Sequence, residues 1–168
     1  LVGSEMCIRD RYKYEMRFCF MRISAKGRYA LAAMVSMSES YASGEYITVI
    51  SISEKLGISK IYLEQVFSLL KRGGLVNSIK GAQGGYQLSR MPRQITVYQV
   101  LSAVELSLFE PAEDTVVEKA PDIEKAMRLS AFEKLDKAVA DALSAVTLAD
   151  LATEAERHRE ENTFMFYI

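Results

Sequence analysis

A glycine-rich segment, SIKGAQGGYQLS at residues 78–89, raises the first question of chemistry, because three glycines fall within five residues beside Lys80. Such a loop could cradle a phosphate group, but a P-loop needs Lys and then Ser or Thr after its last glycine, and a helix beyond. Here Tyr86 follows in an alternating stretch, and the glycine fingerprint of dinucleotide-binding folds is missing too. The segment therefore predicts a β-hairpin with strands in residues 75–79 and 86–88, whose glycines permit positive φ in the turn.

The segment before this hairpin carries a second set of polar groups that could bind a ligand. Its apolar residues Leu63, Val66, Phe67 and Leu70 share one face of a predicted helix over residues 60–72. The opposite face holds Lys60, Ile61, Glu64, Gln65 and Ser68. Ammonium, carboxylate and amide groups near a helix N-terminus are the groups that contact base edges in DNA recognition helices. A solvated amphipathic helix is the plain alternative.

The chain offers little for catalysis or metal binding. Cys7 and Cys19 have neither the spacing of a redox motif nor that of a zinc finger, and the one histidine, His158, lies in a charged run. The motifs of α/β-hydrolases and zinc proteases are absent from the sequence. We therefore predict a protein that is not an enzyme and that holds no metal and no cofactor.

The order of the predicted elements indicates a fold that would position both the glycine-rich hairpin and the polar face of the helix over residues 60–72. Ser24, Thr48, Ser59 and Thr96 are predicted N-caps of helices over residues 25–41, 49–56, 60–72 and 96–105, and the hairpin follows the third helix. This order is typical of a winged helix-turn-helix, so the predicted fold is mostly α with a small β-hairpin wing. A wing tip with few side chains could approach a phosphate backbone or enter the minor groove.

Charge is distributed unevenly along the 168 residues, although the net charge is only −1. Residues 21–105 hold ten Lys or Arg against five Asp or Glu, whereas residues 106–168 hold seven against fourteen. This asymmetry predicts that the first part alone meets a polyanion, unless it is a chance property of a solvated surface. No apolar run reaches about 18 residues, so no membrane partner is expected.

Four stretches give the sequence a recognisable family likeness: MRISAKGRYALAAM, ISEKLGISKIYLEQVFSLLKRGGLV, SIKGAQGGYQLSR and ITVYQVLSAVE. Together with a late VTLADL, they strongly resemble the Rrf-two family of bacterial regulators, of the IscR, NsrR and CymR type. The resemblance runs from Met21 to about Leu151. It implies a homodimeric winged-helix transcription factor in the bacterial cytoplasm, most often a repressor, that binds a double-stranded DNA operator.

The resemblance also implies roles for matching positions. Tyr62 and Lys26 would contact the DNA backbone, Glu64 and Gln65 the base edges, and Lys80 the minor groove, where the iron–sulfur members usually carry Arg. The residues expected to contact DNA are Lys26, Ser59, Lys60, Ile61, Tyr62, Glu64, Gln65, Lys80, Gly81, Gln83 and Gly84.

The acidic second part divides into a loop over residues 106–126, with two prolines, and a helical pattern from Met127. Its apolar stripe is Leu129, Phe132, Leu135 (or Asp136), Val139, Leu143 and Val146. Packing against its own domain is one explanation, and the resemblance favours the other, a dimer seam. Thr147 is the predicted cap of a last short helix over residues 148–159, and residues 161–168 form a tail.

Cluster-binding members of the family keep three cysteines in the loop before this helix. Aligned on VTLADL, the corresponding positions are Asp114, Ala120 and Ala126, with Leu129 at the place of the fourth ligand. Alanine and leucine cannot coordinate iron, so the chain resembles the cluster-free branch.

The sequence thus predicts four parts after an extension over residues 1–20. Within this extension SEMCIRDR resembles translated sequencing-adaptor read-through, and the whole extension is expected to be non-native or disordered. These are a DNA-binding domain over residues 21–105, the loop 106–126, dimerisation and C-terminal helices over 127–160, and the tail. The expected function is sequence-specific DNA binding by a homodimeric regulator. A protein-interaction module built on a winged-helix scaffold, with the acidic loop as its contact surface, is the alternative. Neither the operator nor an effector, protein or small molecule, follows from the sequence.

Overall fold

The computed structural model of the chain describes residues 23–81, 84–105, 109–110 and 115–164, without the side chains of 162–164. The predicted extension over residues 1–20, with Cys7 and Cys19, lies outside these residues. Gln83, Asp114 and the last four residues of the predicted tail lie outside them as well.

Four helices and a hairpin build the first part of the chain. The helices are α1 (Ala25–Glu39), α2 (Val49–Leu56), α3 (Lys60–Arg72) and α4 (Val97–Val104), and 3-10 turns at Tyr41–Ser43 and Pro92–Gln94 join them to their neighbours. Strands β1 (Val76–Ile79) and β2 (Gly85–Leu88) pair antiparallel, with Val76 opposite Leu88 and Ile79 opposite Gly85. The predicted winged helix-turn-helix, mostly helical with one small hairpin, is confirmed.

Local capping explains why α2 and α4 begin where the sequence predicts. The Thr48 hydroxyl accepts a hydrogen bond from Ser51 N at 3.1 Å, and Thr96 forms a reciprocal capping box with Gln99. Gly57 ends α2 at φ 64°, a left-handed conformation that glycine adopts without a Cβ clash. Ser59 differs from the prediction, since its side chain makes no capping hydrogen bond and only its carbonyl accepts from Leu63 N, at 3.0 Å.

The core lies between α1, α3 and α4, with α2 and the base of the hairpin closing it. Met34 and Met37 of α1, Ile52 of α2 and the four apolar residues predicted for α3 are all buried. Leu148, at the start of the last helix, is fully buried in the same core. The C-terminal segment therefore packs back on the winged-helix part.

The acidic part is more helical than the sequence predicts. The segment 106–126 was expected to be a loop, yet helix α5 (Pro121–Met127) begins inside it, because Pro is well suited to the first turn of a helix. A π-helical turn at Arg128–Phe132 then leads into α6 (Glu133–Ser144), so the expected regular helix from Met127 contains a change of pitch.

The last helix, α7 (Leu148–Phe164), is longer than the predicted residues 148–159, and residues 161–164 of the expected tail belong to it. Thr147 caps it as predicted, in a reciprocal pair with Asp150. Arg157 forms ion pairs with Glu154 and Glu161, and the His158 ring contacts the same two carboxylates, all at helical spacing, which favours the extra turn. Within the described residues, no helix combines the length and hydropathy needed to cross a bilayer.

Candidate nucleic-acid interface

The outer face of α3 and the first turn of α1 form one shallow depression of about 500 Å³. It is lined by Lys26, Ile61, Glu64, Gln65, Ser68 and Leu69. The structure thus brings together four of the residues that were expected to contact DNA, from segments some 35 positions apart in the chain. The division of α3 is confirmed too, since Ile61, Glu64 and Gln65 are exposed while the opposite face is buried.

The first turn of α1, which carries Lys26, is fixed by a contact between residues far apart in the chain. Glu105, just after α4, accepts hydrogen bonds from Ser24 N at 3.0 Å and Gly27 N at 3.2 Å, and it also contacts the Ser24 hydroxyl. A carboxylate at a helix N-terminus satisfies amide groups that the helix leaves without partners. The sequence reasoning missed Glu105, because 81 residues separate it from Ser24.

Two further residues expected at the interface flank the depression. Lys60 lies 3.6 Å from Glu64, Nζ to Oε1, and both side chains are half exposed. Such an exposed pair contributes less than about 1 kcal/mol, so either group can turn toward another partner. Tyr62 is half buried, and its ring meets Tyr29 edge to face at 5.3 Å.

The wing forms a second depression, of about 390 Å³, against the end of α3. Lys71, Ser78, Ile79 and Lys80 line it together with Gly81, Gly84 and Gly85. Lys80 is therefore not part of the first depression. Its neighbour there is Lys71, which was not among the predicted interface residues although its position near the helix end, just before the predicted hairpin, could have indicated it.

The wing is anchored by backbone and aromatic contacts. Tyr86 stacks on the buried Phe67 at 4.5 Å, and it pairs with Ile47 through hydrogen bonds of 2.8 and 2.9 Å. The tip turns at Gly81, whose φ is 122°, and Gly84 N donates to Gly81 O at 2.9 Å. The sequence predicts positive φ for the glycines of the tip, and among those that the structure describes only Gly81 has it. At Gly84 a glycine is needed for a different reason, because a Cβ there would lie only 2.7 Å from Ile79 O.

Comparisons with known proteins agree with this architecture. The Rrf2 family, described as iron-dependent transcriptional regulators, matches residues 23–154. The transcriptional regulator CymR of Bacillus subtilis is 36% identical over 148 residues, which cover 88% of this chain and the whole of that protein. IscR of Cronobacter sakazakii is 47% identical over 88 residues, which span 52% of this chain and 54% of that protein.

Solved structures show the same fold. The structure of T. potens IscR has a TM-score of 0.65 at 32% identity and covers 89% of this chain and 98% of that one. The structure of CymR, titled the global cysteine regulator of B. subtilis, has a TM-score of 0.64 at 32% identity, over 80% of this chain and 98% of that one. These findings confirm the family likeness seen in the sequence, and the chain therefore belongs to the Rrf2 family of transcriptional regulators.

Proposed function

We propose that this protein represses transcription as a homodimer that binds a double-stranded DNA operator in the bacterial cytoplasm without an iron–sulfur cluster. The observation that carries the proposal is the depression where Lys26, Glu64 and Gln65 face outward around the N-terminal half of α3. Recognition helices of helix-turn-helix proteins place these first turns in the major groove. An amide such as that of Gln65 pairs with adenine, and a carboxylate such as that of Glu64 accepts a hydrogen bond from cytosine.

The wing supplies the sequence-independent part of the proposed interface. Lys71 and Lys80 line one depression, so two ammonium groups can reach the same stretch of phosphate backbone or the adjoining minor groove. Gly81 and Gly84 carry no side chains, which allows close approach of their backbone to the duplex. Ser59, whose hydroxyl makes no capping bond, is available to a phosphate oxygen.

The proposed dimer rests on apolar side chains that the single chain leaves exposed. Leu129, Phe132 and Leu135 expose 49%, 39% and 62% of their surface, and all three belong to the continuous helical segment from α5 to α6. An apolar stripe of this kind is typical of an interface between copies. Farther along, Val139, Leu143 and Val146 are partly buried, α6 packs against α4, and the Val146 carbonyl accepts from Val97 N at 2.9 Å. We therefore propose that the first half of the stripe carries most of the interface.

The cluster-free proposal follows from the residues around α5. Ala120 precedes this helix, Ala126 lies within it and Leu129 follows in the π-helical turn, and none of these side chains has an atom that can bind iron. In the part of the chain that the structure describes, no three His, Cys, Asp or Glu side chains are grouped to hold a metal ion. These residues do not fit the iron cofactor that the family description implies.

The segment before α5 is held by hydrogen bonds to the carboxylate of Glu124. Glu124 is 4% exposed and accepts hydrogen bonds from Val116 N at 3.0 Å and from the Thr115 amide and hydroxyl at 3.3 and 3.2 Å. The Val116 N–H lowers the pKa of Glu124 most, and the Thr115 groups lower it further against the opposing effect of burial. All three hydrogen bonds end on the Oε2 atom of Glu124, and together they tie residues 115 and 116 to α5.

Binding to genomic fragments tests the proposal. The purified protein should enrich a sequence with two-fold symmetry from fragmented chromosomal DNA, and deletion of its gene should raise transcription beside that sequence. The repressor assignment and the cytoplasmic location rest on the family resemblance. Enrichment no better than that of random fragments would instead favour a protein-interaction module.

A further inference from the structure

The recognition face carries an apolar side chain that is mostly exposed to water in the unbound protein. Ile61 is 70% exposed, the largest value among the large hydrophobic residues that the structure describes. Its position is the second residue of α3, on the rim of the depression that also holds Gln65. Burying so exposed a side chain in a complex would be favourable, because apolar surface leaves water.

The major groove offers one apolar group, the C5-methyl of thymine, while the remaining base edges present hydrogen-bond donors and acceptors. We propose that Ile61 selects thymine by packing on this methyl group, which makes Ile61 a specificity residue of the proposed interface. The inference rests on the proposed function, since it requires that α3 enter the major groove. An isolated exposed isoleucine with no partner is the alternative.

The position of Gln65 predicts where this thymine lies. Residues four apart on a helix have Cβ atoms about 5–6 Å from each other, and base pairs are stacked about 3.4 Å apart. The thymine should therefore lie about one or two base pairs from the base that Gln65 contacts. The half-exposed side chain of Leu69 lines the same depression beyond Gln65, so the polar reading group is flanked by apolar surface on both sides.

Deoxyuridine substitution tests the inference, because it removes the methyl and leaves every hydrogen-bonding group of thymine in place. The probe is the duplex that the wild-type protein enriches, with each dT of one half-site replaced in turn by dU. Fluorescence anisotropy should show that one replacement weakens binding of the wild type roughly fourfold, the factor expected for losing one methyl-sized apolar contact.

The variants separate Ile61 from the rest of the surface. Ile61→Ser should lose this sensitivity to dU, whereas Ile61→Val, which keeps a branched apolar side chain, should keep most of it. Ile50→Ala removes a half-exposed isoleucine from α2 and should leave the sensitivity of the wild type unchanged. Exposed positions of this kind are replaced without loss of the fold.

Each outcome decides the matter. A specific duplex on which no dU replacement weakens binding, or on which the weakening persists in Ile61→Ser, overturns the thymine inference and leaves the proposed function standing. A specific duplex with no thymine within the two nearest base pairs also overturns it. Failure to enrich any sequence overturns the proposed function itself, and the inference with it.

Discussion

Shortening Leu135 to alanine should weaken the proposed dimer without unfolding the protomer. Leu135 is 62% exposed in the single chain, so most of its side chain is available for burial against a second copy. Complete burial of a leucine contributes about 1.5–3 kcal/mol, which gives about 1–2 kcal/mol for the exposed share. A two-fold interface contains the residue twice, and the change should therefore raise the dimer dissociation constant by a factor on the order of 30 to 1000.

Sedimentation velocity over a wide concentration range measures this constant directly. Ile50→Ala is the matched control, because Ile50 is half exposed but lies on α2, away from the proposed seam. The free energy of unfolding of the monomeric form, obtained from thermal melts, should change by less than about 0.5 kcal/mol for both variants, since neither residue belongs to the core. A dissociation constant for Leu135→Ala within about twofold of the wild type would refute the seam, because the predicted loss is at least tenfold larger.

Three further changes test contacts that hold separate segments of the chain together. Glu124→Gln should lower the melting temperature at pH 7, because the Val116 amide holds the pKa of Glu124 below its ordinary value of about 4.3. This stabilisation is present above the ordinary value and is lost as the pH falls through the lower folded-state pKa, so the difference in melting temperature between the two proteins should shrink as the pH is lowered below about 4.3, and a constant difference would contradict this. Glu39 pairs with both Lys55 and Arg159, whose Nζ and Nη2 atoms each lie 2.7 Å from a carboxylate oxygen. Glu39→Gln removes the negative charge that the two cations share, and it should lower the free energy of unfolding in denaturant by about 1 kcal/mol, an effect that 1 M salt should reduce. Gly85→Ala would place a Cβ 2.6 Å from Ile47 O and should destabilise the wing by about 1–3 kcal/mol. Hydrogen exchange should show this as faster exchange of the β2 amides, and unchanged exchange would show that the backbone around Ile47 moves away at little cost.

The winged-helix part could be predicted closely because its signals are local. Thr48 and Gly57 mark the ends of α2 within the segment itself, and the apolar spacing of α3 identifies its buried face. Ser59 shows the limit of such reasoning: the residue type suits a cap, yet whether the side chain turns toward the helix depends on its backbone angles, and here it does not.

The acidic part was harder to predict because its structure depends on contacts between distant residues. Pro121 suits a loop as well as the first turn of a helix, and Glu124 inside the helix that begins there bonds to residues 115 and 116, a contact that the local pattern does not show. The π-helical turn before α6 leaves no mark in the apolar spacing. Glu105 was missed because only the folded chain brings it to the start of α1, whereas the place of Lys71 near the helix end, just before the hairpin, could have indicated it.

Pairing Gln65→Ala with Lys80→Ala tests most directly whether this surface reads DNA. Fluorescence anisotropy at several salt concentrations, with the enriched duplex and a scrambled one, measures both variants against the wild type. Gln65→Ala should cost about 1–3 kcal/mol on the enriched duplex and little on the scrambled one, because its amide contacts a base edge. Lys80→Ala should weaken binding to both duplexes and reduce the slope of log affinity against log salt by about one per protomer. Equal losses for Gln65→Ala on both duplexes, or an unchanged salt slope for Lys80→Ala, would contradict the proposed division between a base-reading helix and a phosphate-binding wing.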